Sequence, residues 1–200
     1  MNLEIRSGQP VEVRNDNDII KVSGYAAVFD EETVIYDMFR EVIKPGAFRD
    51  AVGRDDVVFL VNHEGLPLAR TRSGTLKLSE DDRGLFMETE LDPEDPDVRS
   101  IVPKMKRGDL DKMSFAFSVD SSNEQWSDDE EMPLRSVEKV SLYDVSIVNF
   151  PAYEGTEIGL RSKDKAVQSL KSRQKVFNHA LITSRMKKNL AYRQITGHPA

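Results

Sequence analysis

Three histidines occur in the 200 residues, and two of them, His179 and His198, lie near the C-terminus. His63 is the only imidazole before residue 163, in the run Val61-Asn62-His63-Glu64 at the end of an apolar stretch. A strand end can hold such a side chain rigidly at the mouth of a cleft, where it can act as a general base. The second notable segment is Met113-Ser114-Phe115-Ala116-Phe117-Ser118-Val119. Read as a strand, it carries Ser114, Ala116 and Ser118 on one face and Met113, Phe115, Phe117 and Val119 on the other. A face of small residues either turns to solvent or leaves room for a substrate beside a nucleophilic hydroxyl. A hydroxyl nucleophile needs a base within hydrogen-bond reach, and the base needs an orienting partner. The stretch Arg135 to Phe150 offers two carboxylates, Glu138 and Asp144. In an uninterrupted strand they share a face with Val140, Leu142 and Val148. On the residues alone, each reads better as a solvated strand charge.

Other chemistries fit the residues less well. With no cysteine, there is no disulfide framework, thiol nucleophile or thiolate metal site. His63 with Glu64 beside it is too sparse for zinc, which needs three protein ligands. Asp92, Glu94, Asp95 and Asp97 are interleaved with Pro93 and Pro96, which suits a turn and a helix cap better than a calcium loop. No glycine-rich phosphate loop follows a strand. The acidic run Asp128-Asp129-Glu130-Glu131 reads as a solvated loop. No cofactor is implied.

The elements that must carry these residues are mostly strands. Alternation or apolar runs predict strands over 21–30, 38–43, 56–64, 113–120 and 135–150. The segments 75–78 and 84–91 form a hairpin across Glu80 to Gly84. A turn at Lys44-Pro45-Gly46 opens a short helix over 45–51. Asp95 caps a helix over about 97–107 that Gly108 ends, with Pro103 as a kink. Residues 121–134 read as an acidic hairpin loop. Short, largely antiparallel strands with few helices predict an α+β fold: a closed or nearly closed β-barrel flanked by helices.

Charge divides the chain in two. Residues 1–162 hold 19 basic and 34 acidic residues, a net of −15, while 163–200 hold nine basic residues and one acid, about +8. The expected organisation is therefore a domain over 1–162 and a basic tail over 163–200, helical and amphipathic over 165–192 or else disordered. The acidic body argues against nucleic-acid binding by the core. No apolar run approaches the ~20 residues that cross a bilayer, so no membrane partner is expected.

Five segments in order resemble the prohead (capsid-maturation) proteases of HK97-like phages and related prophages. They are GYAAVFD, FREVIKPGAF, LVNHEGLPLARTRSGTLKLSEDDRGLFMETEL, KRGDLDKMSFAFSV and YDVSIVNFPAY. The resemblance covers about residues 20–160. It implies a serine endopeptidase with His63 as base and Ser114 as nucleophile. Family members often have glycine where this chain has Ala116. The family is distantly similar to the herpesvirus assembly proteases, whose third catalytic member is a second histidine after the serine. No body histidine remains for that place here. Glu138 is the expected substitute, with Asp144 as runner-up. The implied substrates are the scaffolding segment of the major capsid protein and the protease itself. The implied setting is the assembling procapsid in the bacterial host cytoplasm. Dimerisation activates the herpesvirus proteases, which leaves a homodimer open. The reading from a different class is a non-catalytic scaffold or assembly protein that keeps the protease fold.

Overall fold

The computed structural model describes residues 3–16, 19–35, 38–127 and 132–149. The basic tail expected over 163–200 lies outside the described residues, as does the boundary at 162.

Twelve strands and two α-helices are present among the described residues. In chain order the strands are β1 (Glu4–Asp16), β2 (Ile19–Val28), β3 (Thr33–Ile35), β4 (Phe39–Ile43), β5 (Val58–Val61), β6 (Glu64–Arg70), β7 (Leu76–Glu80), β8 (Gly84–Leu91), β9 (Lys112–Ser118), β10 (Glu124–Ser127), β11 (Leu134–Val137) and β12 (Ser141–Val148). The helices are α1 (Ala51–Arg54) and α2 (Pro96–Arg107). Eight strands make one sheet in the order β6-β5-β12-β9-β1-β2-β8-β7, and four make a second in the order β10-β11-β4-β3. Of the expected closed or nearly closed barrel, the ladders among the described residues show an open, curled sheet. The large sheet curls like half a barrel, with β6 and β7 as its edges.

Strand β1 makes the curl. Its first half pairs with β9 (Ser7 opposite Ser114) and its second half with β2 (Val11 opposite Gly24), with a register shift between Ser7 and Pro10. Gly8 sits at the crossing: a Cβ there would lie 2.2 Å from the Ala26 carbonyl oxygen, so only glycine lets the strands approach this closely. The core lies against β9. Phe48 meets Phe115 edge-on at 5.5 Å between centroids, Phe115 stacks on Phe117 at 5.0 Å, and Phe59, Met87, Val145 and Ile147 are fully buried around them.

Helix α2 follows its sequence signals. Asp95 accepts from the Asp97 N–H, and Gly108 closes the helix at φ 79° with Pro103 inside it. The helix expected over 45–51 starts later and is only four residues long. Residues 45–50 are turns instead, closed by Ala47 N–H to Lys44 O and Arg49 N–H to Gly46 O, and Gly46 has φ 94°. The strand expected over 56–64 ends at Val61, and the strand expected over 135–150 is two strands in two different sheets. Both differences bear on the site.

A buried ionic cluster ties the two sheets together. Arg6 on β1 donates from Nε to Glu41 on β4 at 2.5 Å and from a terminal nitrogen to Glu4 at 2.7 Å. Arg135 on β11 reaches Glu4, Glu41 at 2.8 Å and Glu124 at 2.5 Å. Burial pushes the Glu4 carboxyl up, but the Arg135 and Arg6 guanidiniums outweigh it and hold the group below its usual 4.5. A carboxyl depressed on folding stabilises the fold above its unfolded value, and that stability is lost as the pH falls through the folded value. Stability should therefore be full at neutral pH and fall progressively below about pH 4.5. Glu41→Gln, which leaves two buried guanidiniums short of a charge, should cost about 3–5 kcal/mol at pH 7. Urea unfolding of both proteins at pH 7 checks this, and equal midpoints would count against it.

Candidate functional site

Asn62 and His63 form the two-residue turn between β5 and β6, closed by the pairing of Val61 with Glu64. Both have positive φ, 52° and 60°. Two left-handed central residues define the type I′ hairpin turn, whose twist matches the flanking strands. Asparagine tolerates this region best among residues with a side chain, and histidine is also enriched there. The turn is held from outside. The Asn62 N–H donates to the Ile147 carbonyl at 2.9 Å, and the Asn62 Oδ1 accepts from the Asn149 N–H at 3.1 Å. The asparagine thus fixes the turn to the end of β12 and aims His63 across that strand.

Ser114 sits on β9, in the middle of the large sheet, flanked in register by Ser7 on β1 and Ser146 on β12. Its small-residue face is not turned to solvent: Ser114 and Ala116 are 0% exposed and Ser118 is 2% exposed. The hydroxyl lies 2.7 Å from His63 Nε2 and 2.8 Å from the Arg6 carbonyl oxygen.

Asp144 completes the row. Its Oδ1 is 2.6 Å from His63 Nδ1, and both side chains are nearly buried. The strand reaches this arrangement through a bulge. Leu142 stands opposite Phe117 and Val145 opposite Phe115, while Asp144 stands opposite Ala116. Tyr143 is the extra residue, so the inward face changes parity there. Leu142 therefore points to the core with Val145, and Asp144 points with Ser146 to the serine side. The alternation read along 135–150, which put Asp144 on one face with Val140 and Leu142, fails at this bulge. Two contacts pin it. Tyr143 OH lies 3.1 Å from Ser118 Oγ, and the Leu142 N–H donates to Asp55 Oδ2 at 2.8 Å. Burial raises the Asp55 carboxyl, but Arg54 and the Leu142 N–H outweigh it and leave the group below its usual value.

Glu138 goes elsewhere. It follows β11, whose Val137 pairs with Ile43 in the small sheet, and its backbone N–H donates to Asn123 O. Its exposed carboxylate accepts from Gln125 Nε2 at 2.5 Å. The chain changes sheets between Val137 and Ser141, so Glu138 and Asp144 do not share a strand. The carboxylate on the imidazole is Asp144's.

With the Nδ1 proton held by Asp144, Nε2 presents its lone pair to Ser114. The serine proton has two acceptors in reach, and pointing it at Nε2 is the arrangement a serine oxygen needs to act as a nucleophile. The geometry suits acyl transfer through a serine. Among the described residues, no group of three or more His, Cys, Asp or Glu is gathered to hold a metal ion. No helix among them is long and apolar enough to cross a membrane.

Two residues of this site carry no obvious sequence signal. Asn62 reads as part of a strand until the turn is seen. Ser146 is one serine among several until β12 is placed beside β9.

The family model described as Caudovirus prohead serine protease matches residues 4–171. A protein named "Prohead protease" from Enterobacteria phage HK97 is 27% identical over 154 residues, which cover 74% of this chain and 63% of that protein. The chain thus spans less than two thirds of the length of that relative. No solved structure matches. With the family model covering most of the chain, from β1 to beyond β12, the protein belongs to the Caudovirus prohead serine protease family.

Proposed function

We propose that this chain is a serine endopeptidase of capsid maturation, with Ser114 as nucleophile, His63 as general base and acid, and Asp144 as the group that orients the imidazole. The observation that carries it is the continuous row Ser114–His63–Asp144, at 2.7 and 2.6 Å, in a chain of this family. In the first step His63 takes the Ser114 proton while Oγ attacks the scissile carbonyl. The imidazolium then gives that proton to the leaving amine, and water releases the acyl group by the same route. Asp144 keeps the proton of the neutral ring on Nδ1 and stabilises the charged ring.

The substrates that fit this reading are the scaffolding segment of the major capsid protein and the protease itself. The place of action is the assembling procapsid in the bacterial host cytoplasm. Cleaving the scaffold makes assembly irreversible and clears room for DNA. The test is co-expression of the chain with the major capsid protein of the same phage or prophage. N-terminal sequencing and intact mass should show the capsid protein shortened by a defined segment. A capsid protein that stays full length inside assembled particles would favour a non-catalytic assembly role.

A further inference from the structure

Ser146 is a fully buried hydroxyl that the three-residue row above does not use. It stands directly opposite Ser114 across β12 and β9, two residues beyond Asp144 on the same face. Its Oγ lies 2.7 Å from Asp144 Oδ1 and 3.2 Å from His63 Nδ1. A hydroxyl has one proton to donate and lone pairs to accept with. The carboxylate can only accept, so Ser146 donates to Asp144. The Nδ1–H of His63 is then shared between Asp144 Oδ1 and Ser146 Oγ.

We infer that Ser146 is a positioning residue of this site: it holds the Asp144 carboxylate in place and gives the imidazole proton a second acceptor. This rests on the reading of Ser114 and His63 as nucleophile and base. The physical need is specific. Asp144 Oδ1 is taken out of water beside a bulge, where β12 is locally irregular. A carboxylate with the imidazole as its only donor could swing about its own Cβ–Cγ bond. A second donor from the same strand face fixes the oxygen. It also disfavours the opposite tautomer. With the ring proton on Nε2, Nδ1 would turn a lone pair toward Asp144 Oδ1, and Ser146 could donate to it only by giving up its bond to Asp144. Ser146 thus favours the ring in which Nε2 is free for Ser114. It touches no reacting atom.

The probe is a fluorophosphonate, which labels an activated serine without any need to know the cleavage site. Wild type should be labelled at Ser114, and Ser114→Ala should not. Ser146→Ala should still be labelled at Ser114, with a rate constant about 10- to 100-fold lower, the worth of a hydrogen bond to a charged group. Ser146→Thr, which restores the hydroxyl, should recover most of that loss. In the NMR spectrum, the low-field Nδ1 proton of His63 should shift or broaden in Ser146→Ala and return in Ser146→Thr. Thermal unfolding of each variant shows whether a lost rate is merely lost fold. Wild-type labelling with an unmoved Nδ1 resonance in Ser146→Ala overturns the role of Ser146 and leaves the reading of Ser114 standing. Labelling of Ser114→Ala at the wild-type rate overturns the reading itself.

Discussion

Ser114→Ala should abolish processing of the capsid protein while leaving the fold intact. The expected loss in kcat is on the order of 10⁶, the cost of removing the nucleophile from a serine protease relay, with any residue of activity coming from binding alone. The structural cost should be small. Ser114 is 0% exposed among small neighbours, and alanine fits the same space. The change removes the hydrogen bonds to His63 and to the Arg6 carbonyl but leaves no large cavity. Purified wild type and variant, each mixed with capsid protein at equal concentration, should differ in product by mass spectrometry and agree in circular dichroism. His63→Ala should be similarly inactive, because the hydroxyl keeps only the Arg6 carbonyl as acceptor and that carbonyl cannot serve as a base. Equal cleavage by Ser114→Ala and wild type would refute the nucleophile assignment.

The second large effect separates the two carboxylates. Asp144→Asn should lower kcat by about 10⁴, the size expected when the group that sets the histidine tautomer can no longer accept. An amide at that position can present its NH₂ to Nδ1, which would move the ring proton to Nε2 and point a donor at Ser114. Glu138→Gln should change activity less than about twofold and stability by no more than about 0.5 kcal/mol, as for an exposed surface position. Its carboxylate meets Gln125 in the small sheet, and a glutamine there can still accept. A dead Glu138→Gln beside an active Asp144→Asn would reverse the assignment.

Several features were legible from local pattern because their physics is local. The capping of α2 by Asp95 and Gly108 depends on residues within one turn of the helix ends. The β7–β8 hairpin needs only alternation on either side of a polar turn, and its ladder runs from Leu76–Thr89 to Glu80–Leu85. The small-residue face of β9 was also visible, since it follows from period two. Its burial was not. Alternation says which residues share a face, but not whether that face is covered.

Strand β1 escaped the sequence reading because Glu4, Arg6, Glu12 and Arg14 look like a solvated N-terminus. Arg6 is buried and Glu4 half-buried because partners from β4 and β11 meet them there. Those partners are 35 to 131 residues away in the chain. Strand β6 was likewise hidden, since Pro67 and Gly65 argue against a strand. As the edge of the large sheet, β6 tolerates both.

By itself, the sequence determined the family, one usable imidazole before the tail, and a serine on a strand of alternating small and large residues. Those follow from residue identity, order and period. For the third place it put Glu138 ahead of Asp144, in one apolar-rich run that reads as a single strand and carries both. Tertiary structure separates the two carboxylates, and brings Asp144 rather than Glu138 to His63, through two long-range events. The chain leaves the small sheet after Val137, and the bulge at Tyr143 resets the faces of β12. Neither has a local signature, because each is set by the strand alongside: β4 beside β11, and β9 beside β12. The same pairing brings Ser146 to Asp144 and His63, and makes a hydroxyl with no sequence signal part of the site.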